Sequence, residues 1–175
     1  MAEYKTPGVY IEEIPKLPPS IASVETAIPA FIGYTEKAQW KVAGDLTNKP
    51  WRIASMLEYE LYFGGARPDA GIEVTVDATQ GKVDIQGSIN AELRSKYLMY
   101  YSLQMFFING GGPCYITSVG GYADGDVILD ADLQAGLAEV EKIDEVTLLL
   151  FPDAINLASA GNYYALYSLA IAQCV

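Results

Sequence analysis

The chain has 175 residues, of which 51% are hydrophobic and 19% charged, and its 11 basic and 22 acidic residues give a net charge of −11. This length favours one domain, and this composition is typical of a globular protein rather than a disordered one. The acidic balance argues against nucleic-acid binding, which needs clustered Lys and Arg, and against docking on an anionic membrane.

The residue types exclude several kinds of catalytic and metal site. The sequence has no histidine, and its only cysteines are Cys114 and Cys174. Ser-His-Asp and Cys-His nucleophile systems, HExxH zinc sites and Cys-x-x-Cys zinc sites are therefore excluded. The first residues lack the basic and apolar regions of a signal peptide, so none is expected, and the apolar runs are shorter than the ~20 residues of a spanning helix. We expect a soluble protein with no catalytic, metal-binding or cofactor-binding residue.

Residues 1–30 contain five of the nine prolines, which argues against helix there. Between these prolines, the stretch 8–14 is rich in β-forming residues and predicts a short strand. No hairpin partner follows it, so its hydrogen bonds must be made with a distant part of the sequence or with another chain.

Two elements follow before residue 70. Residues 27–35 predict a buried strand, with Gly33 where two backbones approach closely. Residues 55–63 predict a helix with Ser55 and Glu58 as a capping box, and the glycines 64–65 end it.

A β-hairpin is predicted over residues 72–86. Residues 72–77 and 82–86 alternate between aliphatic and polar side chains, with a turn over 78–81. One face is aliphatic and the other polar, so we expect the aliphatic face of this hairpin to pack on the rest of the domain or on another subunit.

The second half of the chain predicts three helices and two strands. The longest helix covers 89–108 with one apolar stripe, and the glycines before Pro113 end it. A helix capped by Asp130 is predicted through Lys142, and a third begins near residue 162. Residues 115–119 predict a strand, and the apolar run 145–151 predicts a strand of a sheet covered on both faces.

Several residues are candidate functional sites. Asp153 follows a buried strand, where open α/β sheets often place functional groups, but no second carboxylate or Lys accompanies it. The acidic loop at 124–132 is explained by turn chemistry better than by calcium binding. Cys114 and Cys174 are expected to be buried, inert thiols. Most of the 13 tyrosines fall at core-like spacings, although tyrosine is also common in interfaces.

Five segments resemble, in chain order, those of contractile tail sheath proteins from phage tails and phage-tail-like injection systems. The first is the N-terminal signature Thr6, Pro7, Gly8, Val9, Tyr10, Ile11, Glu12 and Glu13. The others are the first core strand at 26–33, the segment 50–65 that ends in Phe-Gly-Gly, the strand entry at 106–116 with Phe-Phe-Ile-Asn-Gly-Gly, and the segment 144–154 with Pro-Asp-Ala.

The resemblance implies a mixed α/β sheet with flanking helices and an extended N-terminal β-arm. Residues 1–25 would be the arm and linker for inter-subunit strand addition, and residues 26–175 a sheath domain truncated at its C-terminus. Copies would polymerise helically around an inner tube and contract to drive injection, without catalysis. Other partners would be related sheath isoforms, baseplate and terminal cap proteins, with no nucleic acid and no membrane insertion. Assembly would occur in the bacterial cytoplasm, as part of a phage tail or an extracellular particle.

Two alternatives stay open at this point. One is an α/β enzyme with a carboxylate-based site near Asp153, and the other is a monomeric binding module with a Tyr-rich surface.

Overall fold

A four-stranded sheet flanked by helices forms the centre of the computed structural model, which describes residues 27–78, 82–90, 93–123 and 126–174. The strands of the described chain are β1 Pro29–Thr35, β2 Trp51–Ile53, β3 Ile72–Asp77, β4 Asp84–Ile89, β5 Cys114–Gly121 and β6 Leu148–Leu150. Its α-helices are α1 Met56–Phe63, α2 Met99–Ile108, α3 Asp130–Val140 and α4 Ala160–Gln173, and a 3-10 helix covers Pro152–Asn156.

The main sheet has the strand order β2-β5-β1-β6. β1 is parallel to β5 and to β6, whereas β2 is antiparallel to β5. All seven residues of β1 are buried, because a strand with a parallel neighbour on each side and helices on both faces reaches no solvent. The predicted strand over 27–35 is therefore confirmed, and so is the mixed α/β class.

Each face of the sheet has its own core. On one face, Phe31 and Ile116 pack with residues of α1 and α2 such as Phe63 and Leu103. On the other face, Ile32 packs with residues of α3 and α4, such as Leu133, Leu137 and Leu166. Alternate residues of β1 thus point into different cores, as the period of two in a strand requires.

Several predicted boundaries are confirmed. α1 begins after Ser55, whose Oγ accepts a hydrogen bond from the Glu58 N–H at 3.3 Å. The Glu58 carboxylate accepts in return from the Ala54 N–H at 2.7 Å, one residue before the position that a standard capping box uses. α2 ends before Gly110, which has a positive φ of 85°, so the glycine run terminates the helix as expected.

The prediction of one helix over 89–108 is wrong in its first half. β4 extends to Ile89, and residues 93–98 are not helical. The apolar stripe was misleading because Ile89 pairs with Ile72 in the hairpin. The Asp69 carboxylate accepts a hydrogen bond from the Ser95 N–H at 2.6 Å, a contact that holds the segment outside a helix.

Two expectations about β6 and α3 are also wrong. β6 has only three residues and lies at the sheet edge, where Leu148 and Leu150 are exposed, so the sheet is not covered on both faces there. The predicted cap of α3, Asp130, is instead its first helical residue; Leu129 precedes the helix without a side-chain cap. An acidic side chain in the first turn still favours the helix through its dipole.

Candidate interaction surfaces

The predicted site residues of the N-terminal arm lie outside the described part of the chain. They are Thr6, Pro7, Gly8, Val9, Tyr10, Ile11, Glu12 and Glu13. The proposed division between residues 1–25 and 26–175 stays a prediction for the same reason.

The hairpin of β3 and β4 presents an exposed apolar face. Every residue of both strands is exposed. Opposite Ile72 lies Ile89, and opposite Val76 lies Ile85, so aliphatic side chains pair across the strands on one face. That face, which we call the ribbon, consists of Ile72, Val74, Val76, Val83, Ile85 and Ile89, which are 58–68% exposed. The structure therefore confirms the hairpin with one aliphatic face that the alternation predicts.

The other face of the hairpin is polar and acidic. Glu73 lies opposite Ser88, Thr75 opposite Gln86, and Asp77 opposite Asp84. The polar face is well solvated as it stands, whereas the ribbon leaves aliphatic surface in water, which costs free energy.

The base of the hairpin is held by a hydrogen bond and a salt bridge. The Asn90 N–H donates to the Gly71 carbonyl at 2.8 Å, where β3 begins and β4 ends. Just before β3, Arg67 Nε forms a 2.6 Å salt bridge with Asp126, which is 12% exposed at its side chain. These contacts anchor the hairpin at the body while its strands remain in solvent.

A second apolar surface lies between α2 and β6. Leu150, Phe31, Met105 and Phe106 line an open groove of about 530 Å³. β6 is an edge strand, and no strand of the described chain pairs with its outer side. Two of its lining residues are exposed, Met105 at 67% and Leu150 at 36%, and together with Phe106 they form what we call the groove surface.

Sequence reasoning missed the groove surface. The apolar stripe predicted for 89–108 lies on another side of α2 than Met105, which lines the groove and is 67% exposed. The signal that could have found it is the width of the apolar sector of α2, since a helix apolar on most sides must be covered on most sides.

Asp153 joins three elements of the fold. One of its oxygens accepts from the Tyr34 N–H at 2.8 Å, and the other from the N–H groups of Leu98 and Met99 at 2.6 and 3.2 Å. These bonds connect the 3-10 helix with the last part of β1 and cap the N-terminus of α2. The approach is so close that a Cβ on Gly33 would lie 2.5 Å from the Asp153 carboxylate, which explains the glycine.

The environment of Asp153 does not resemble a catalytic site. The residue is 0% exposed, and backbone amides occupy both of its oxygens. Burial raises the pKa of its carboxyl to about 6, and the three N–H donors oppose that rise. A carboxyl closed off in this way positions backbone and cannot touch a substrate in this conformation.

The two cysteines differ. Cys114 is buried in β5, and burial raises the pKa of its thiol to about 12, as expected for an inert thiol. Cys174 is exposed beyond the end of α4, so the expectation that it is buried is wrong.

The tyrosines are divided between core and surface. Tyr59 and Tyr97 are fully buried, whereas Tyr164 is 68% exposed. Several tyrosines bond acidic partners, such as Tyr34 with Asp132 at 2.6 Å. These contacts support the packing interpretation for most of the tyrosines in the described chain.

The described residues form neither a metal site nor a membrane-spanning helix. No group of three or more His, Cys, Asp and Glu side chains there could hold a metal ion. None of the helices in those ranges has the length and apolar character needed to cross a membrane.

Comparison with known proteins supports the fold. No protein-family model matches the chain, and no characterised protein matches its sequence. Among solved structures, the helical sheath of the anti-feeding prophage in its contracted state is similar, with a TM-score of 0.51 and 24% identity over 97% of this chain and 36% of that chain. The two chains share a fold. A chain of the anti-feeding prophage baseplate has a TM-score of 0.49 and 25% identity, over 95% of this chain and 37% of that one.

The chain thus spans little more than a third of the length of the structures it matches. At this identity the likeness to the sheath protein establishes a common fold and leaves the function to be argued. The fold expectation derived from the five ordered segments is confirmed for the described residues.

Proposed function

We propose that this chain is part of the sheath of a contractile, phage-tail-like particle. In this role, copies polymerise helically around an inner tube, and contraction of the sheath drives injection. The observation that carries the proposal is the match to one sheath protein, because the shared fold extends over 97% of the chain.

Two further observations support an assembly role. The five sheath-like segments occur in the expected order, and the described parts of the last four include core elements such as β1 and β5. The described chain also exposes two apolar surfaces, the ribbon and the groove surface, and contiguous exposed apolar patches mark interaction sites.

The N-terminal arm has a specific part in this proposal. Residues 8–14 add a strand to a sheet in a neighbouring copy, and the proline-rich stretch 15–19 is a semi-rigid spacer. Such tethers keep copies connected while their bodies rotate. Related sheath isoforms, the inner tube, the baseplate and terminal caps are the other proposed partners. Assembly takes place in the bacterial cytoplasm.

The enzyme alternative receives no support from the position of Asp153, which is buried and saturated by backbone amides. The alternative of a monomeric binding module with a Tyr-rich surface receives little support, because tyrosines such as Tyr59 and Tyr97 are buried in the core.

Immunogold electron microscopy tests the proposal. Antibodies raised against the purified chain are applied to phage-tail-like particles isolated from cells that produce it. We expect gold along the whole length of the outer sheath. Label confined to one end of the particles, or absent from them, contradicts a sheath role.

Deletion of residues 1–14 tests the arm. We expect the circular dichroism spectrum of the shortened chain to match that of the intact chain, because β1 and all later elements remain. Ordered sheath should be lost. Normal sheathed particles formed by the shortened chain would refute the role of the arm.

A further inference from the structure

The segment that precedes α2 presents two basic side chains to solvent. Ser95 and Tyr97 are buried, at 7% and 2% exposed, whereas Arg94 and Lys96 are exposed. This alternation places Arg94 and Lys96 together on the outer side of the segment. Within the described residues, neither side chain forms a hydrogen bond or an ion pair. Both cations are therefore available to a partner.

Hydrogen bonds fix the backbone that carries these two cations. The Lys96 N–H donates to the Asp126 carboxylate at 3.2 Å, and the Asn156 side-chain amide donates to the Lys96 carbonyl at 2.7 Å. One residue earlier, the Ser95 N–H donates to Asp69 at 2.6 Å. Because the backbone is already held in place, little conformational entropy is lost when the side chains bind.

Arg94 and Lys96 line two adjoining cavities. The smaller one has about 170 Å³ and is also lined by Arg67, and the larger one has about 400 Å³ and is also lined by Ile155. Ile155 in turn lines a third cavity of about 470 Å³, together with the tyrosines 163–164. The three cavities adjoin through these shared residues, and we call them together the cleft.

The two ends of the cleft differ in character. At one end, Arg67 forms a 2.6 Å salt bridge with Asp126 and lies over the ring of Tyr97, so it is held beside the other two cations. At the other end, Ile155 and Tyr164 are 67% and 68% exposed. The cleft is thus cationic at one end and apolar with aromatic side chains at the other.

We propose that the cleft binds an acidic peptide segment of a partner protein. Carboxylates of the segment pair with Arg94 and Lys96, and an apolar side chain of the same segment packs against Ile155 and Tyr164. This inference goes beyond the proposed sheath role and does not depend on it. Charge complementarity decides the chemistry of the occupant, because the cations of the described lining outnumber its single carboxylate, Asp126.

The overall negative charge of the chain is compatible with this partner. Salt screens exposed charges that lie more than about 8–10 Å apart, so a short acidic segment responds mainly to the cations beside it. A nucleic acid fits less well, because its affinity comes from many phosphate contacts. Three basic residues line the described part of the cleft, and the chain as a whole carries a net charge of −11.

Fluorescence anisotropy with synthetic peptides tests the proposal on the full-length chain. The probe is a fluorescein-labelled peptide with four glutamates followed by Gly, Leu, Tyr and Leu, and a second probe has the reverse order. A third replaces the glutamates by glutamines. We expect saturable binding of at least one acidic probe, at least about tenfold weaker binding of the glutamine probe, and weaker binding in high salt.

Substitutions with matched controls locate the cationic end of the binding site. Arg94→Glu and Lys96→Glu should each weaken binding of the acidic probe by about fivefold or more. Lys82→Glu makes the same change of charge at an exposed position outside the cleft, and it should alter binding by less than about twofold.

The apolar end is tested in the same way. Ile155→Ser should weaken binding of the acidic probe by about fivefold, because it removes exposed aliphatic surface from the contact. Ile171→Ser is the matched control, since Ile171 is also 67% exposed but does not line the cleft, and it should have no effect. All these positions are exposed, and circular dichroism confirms that each variant is folded.

Several outcomes would overturn the proposal. They are the absence of binding by both acidic probes, equal losses from Lys82→Glu and Lys96→Glu, and equal losses from Ile171→Ser and Ile155→Ser. A single-stranded oligonucleotide that binds more tightly than the acidic probes and is released by Lys96→Glu would assign the cleft to nucleic acid instead. Self-association of the chain that Lys96→Glu abolishes would assign it to a second copy.

Discussion

Replacement of Asp153 by Ala removes the carboxylate that joins the 3-10 helix to β1 and α2. The substitution leaves three N–H groups without an acceptor, those of Tyr34, Leu98 and Met99. Each buried, unpaired N–H costs about 1–3 kcal/mol, which makes roughly 6 kcal/mol for the three. At neutral pH the substitution also removes a buried negative charge, and the free energy that its burial cost offsets part of this loss.

The pKa of Asp153 gives the size of this offsetting free energy. Burial raises it from 3.8 to about 6, and a shift of about two units corresponds to roughly 3 kcal/mol. We therefore expect Asp153→Ala to lower the free energy of unfolding by about 3 kcal/mol at pH 7.

The same shift predicts a dependence on pH. Between pH 3.8 and about 6, Asp153 holds its proton in the folded chain but loses it in the unfolded chain. Its contribution to stability is thus fully present below pH 3.8 and is lost as the pH rises through about 6. The difference between wild type and Asp153→Ala should therefore widen by up to about 3 kcal/mol from pH 7 to pH 4.

Urea unfolding followed by tryptophan fluorescence measures both effects, since Trp51 packs against Tyr62 beside the first core. Asp144→Ala is the matched control, because Asp144 is an exposed carboxylate, and its effect should stay within about 0.5 kcal/mol. A loss below about 1 kcal/mol for Asp153→Ala at pH 7, or a difference that narrows on acidification, would refute the reasoning.

Two further predictions concern packing and thiol chemistry. Gly136→Ala should destabilise the fold by about 1–3 kcal/mol in the same urea assay, because its Cβ would lie 2.5 Å from Val119. Gly112→Ala, where a Cβ meets nothing within 4 Å, should be nearly neutral, and equal effects would contradict the packing argument. In titration with an aromatic disulfide reagent, one thiol should react at once and the other only after unfolding. Cys174→Ser should remove the fast phase, and a fast phase that persists would show that Cys114 is accessible.

Local patterns predicted the elements whose signals lie within a few residues. α1 follows from the capping box and the glycines after it, and the hairpin follows from strict alternation on two strands. The prediction of a helix over 89–108 was wrong in its first half because Ile89 fits a helical stripe and a strand face equally well. Only its pairing with Ile72 decides between them.

The sequence by itself determined which kinds of site these 175 residues cannot build and where most of the elements lie. Without histidine, and with two cysteines far apart, imidazole catalysis and Cys-x-x-Cys metal sites were excluded before any fold was known. The ordered segments also indicated a sheath-like fold. These properties are local or compositional, so they need no knowledge of which residues meet in space.

The tertiary structure alone decided the role of Asp153 and the location of the groove surface. Asp153 binds amides that are 54 to 119 residues away in the chain, and no local pattern encodes such partners. The apolar sequence of β6 predicts a buried strand, and only its position at the sheet edge exposes Leu148 and Leu150. Exposure depends on which elements become neighbours, and that is a property of the whole fold.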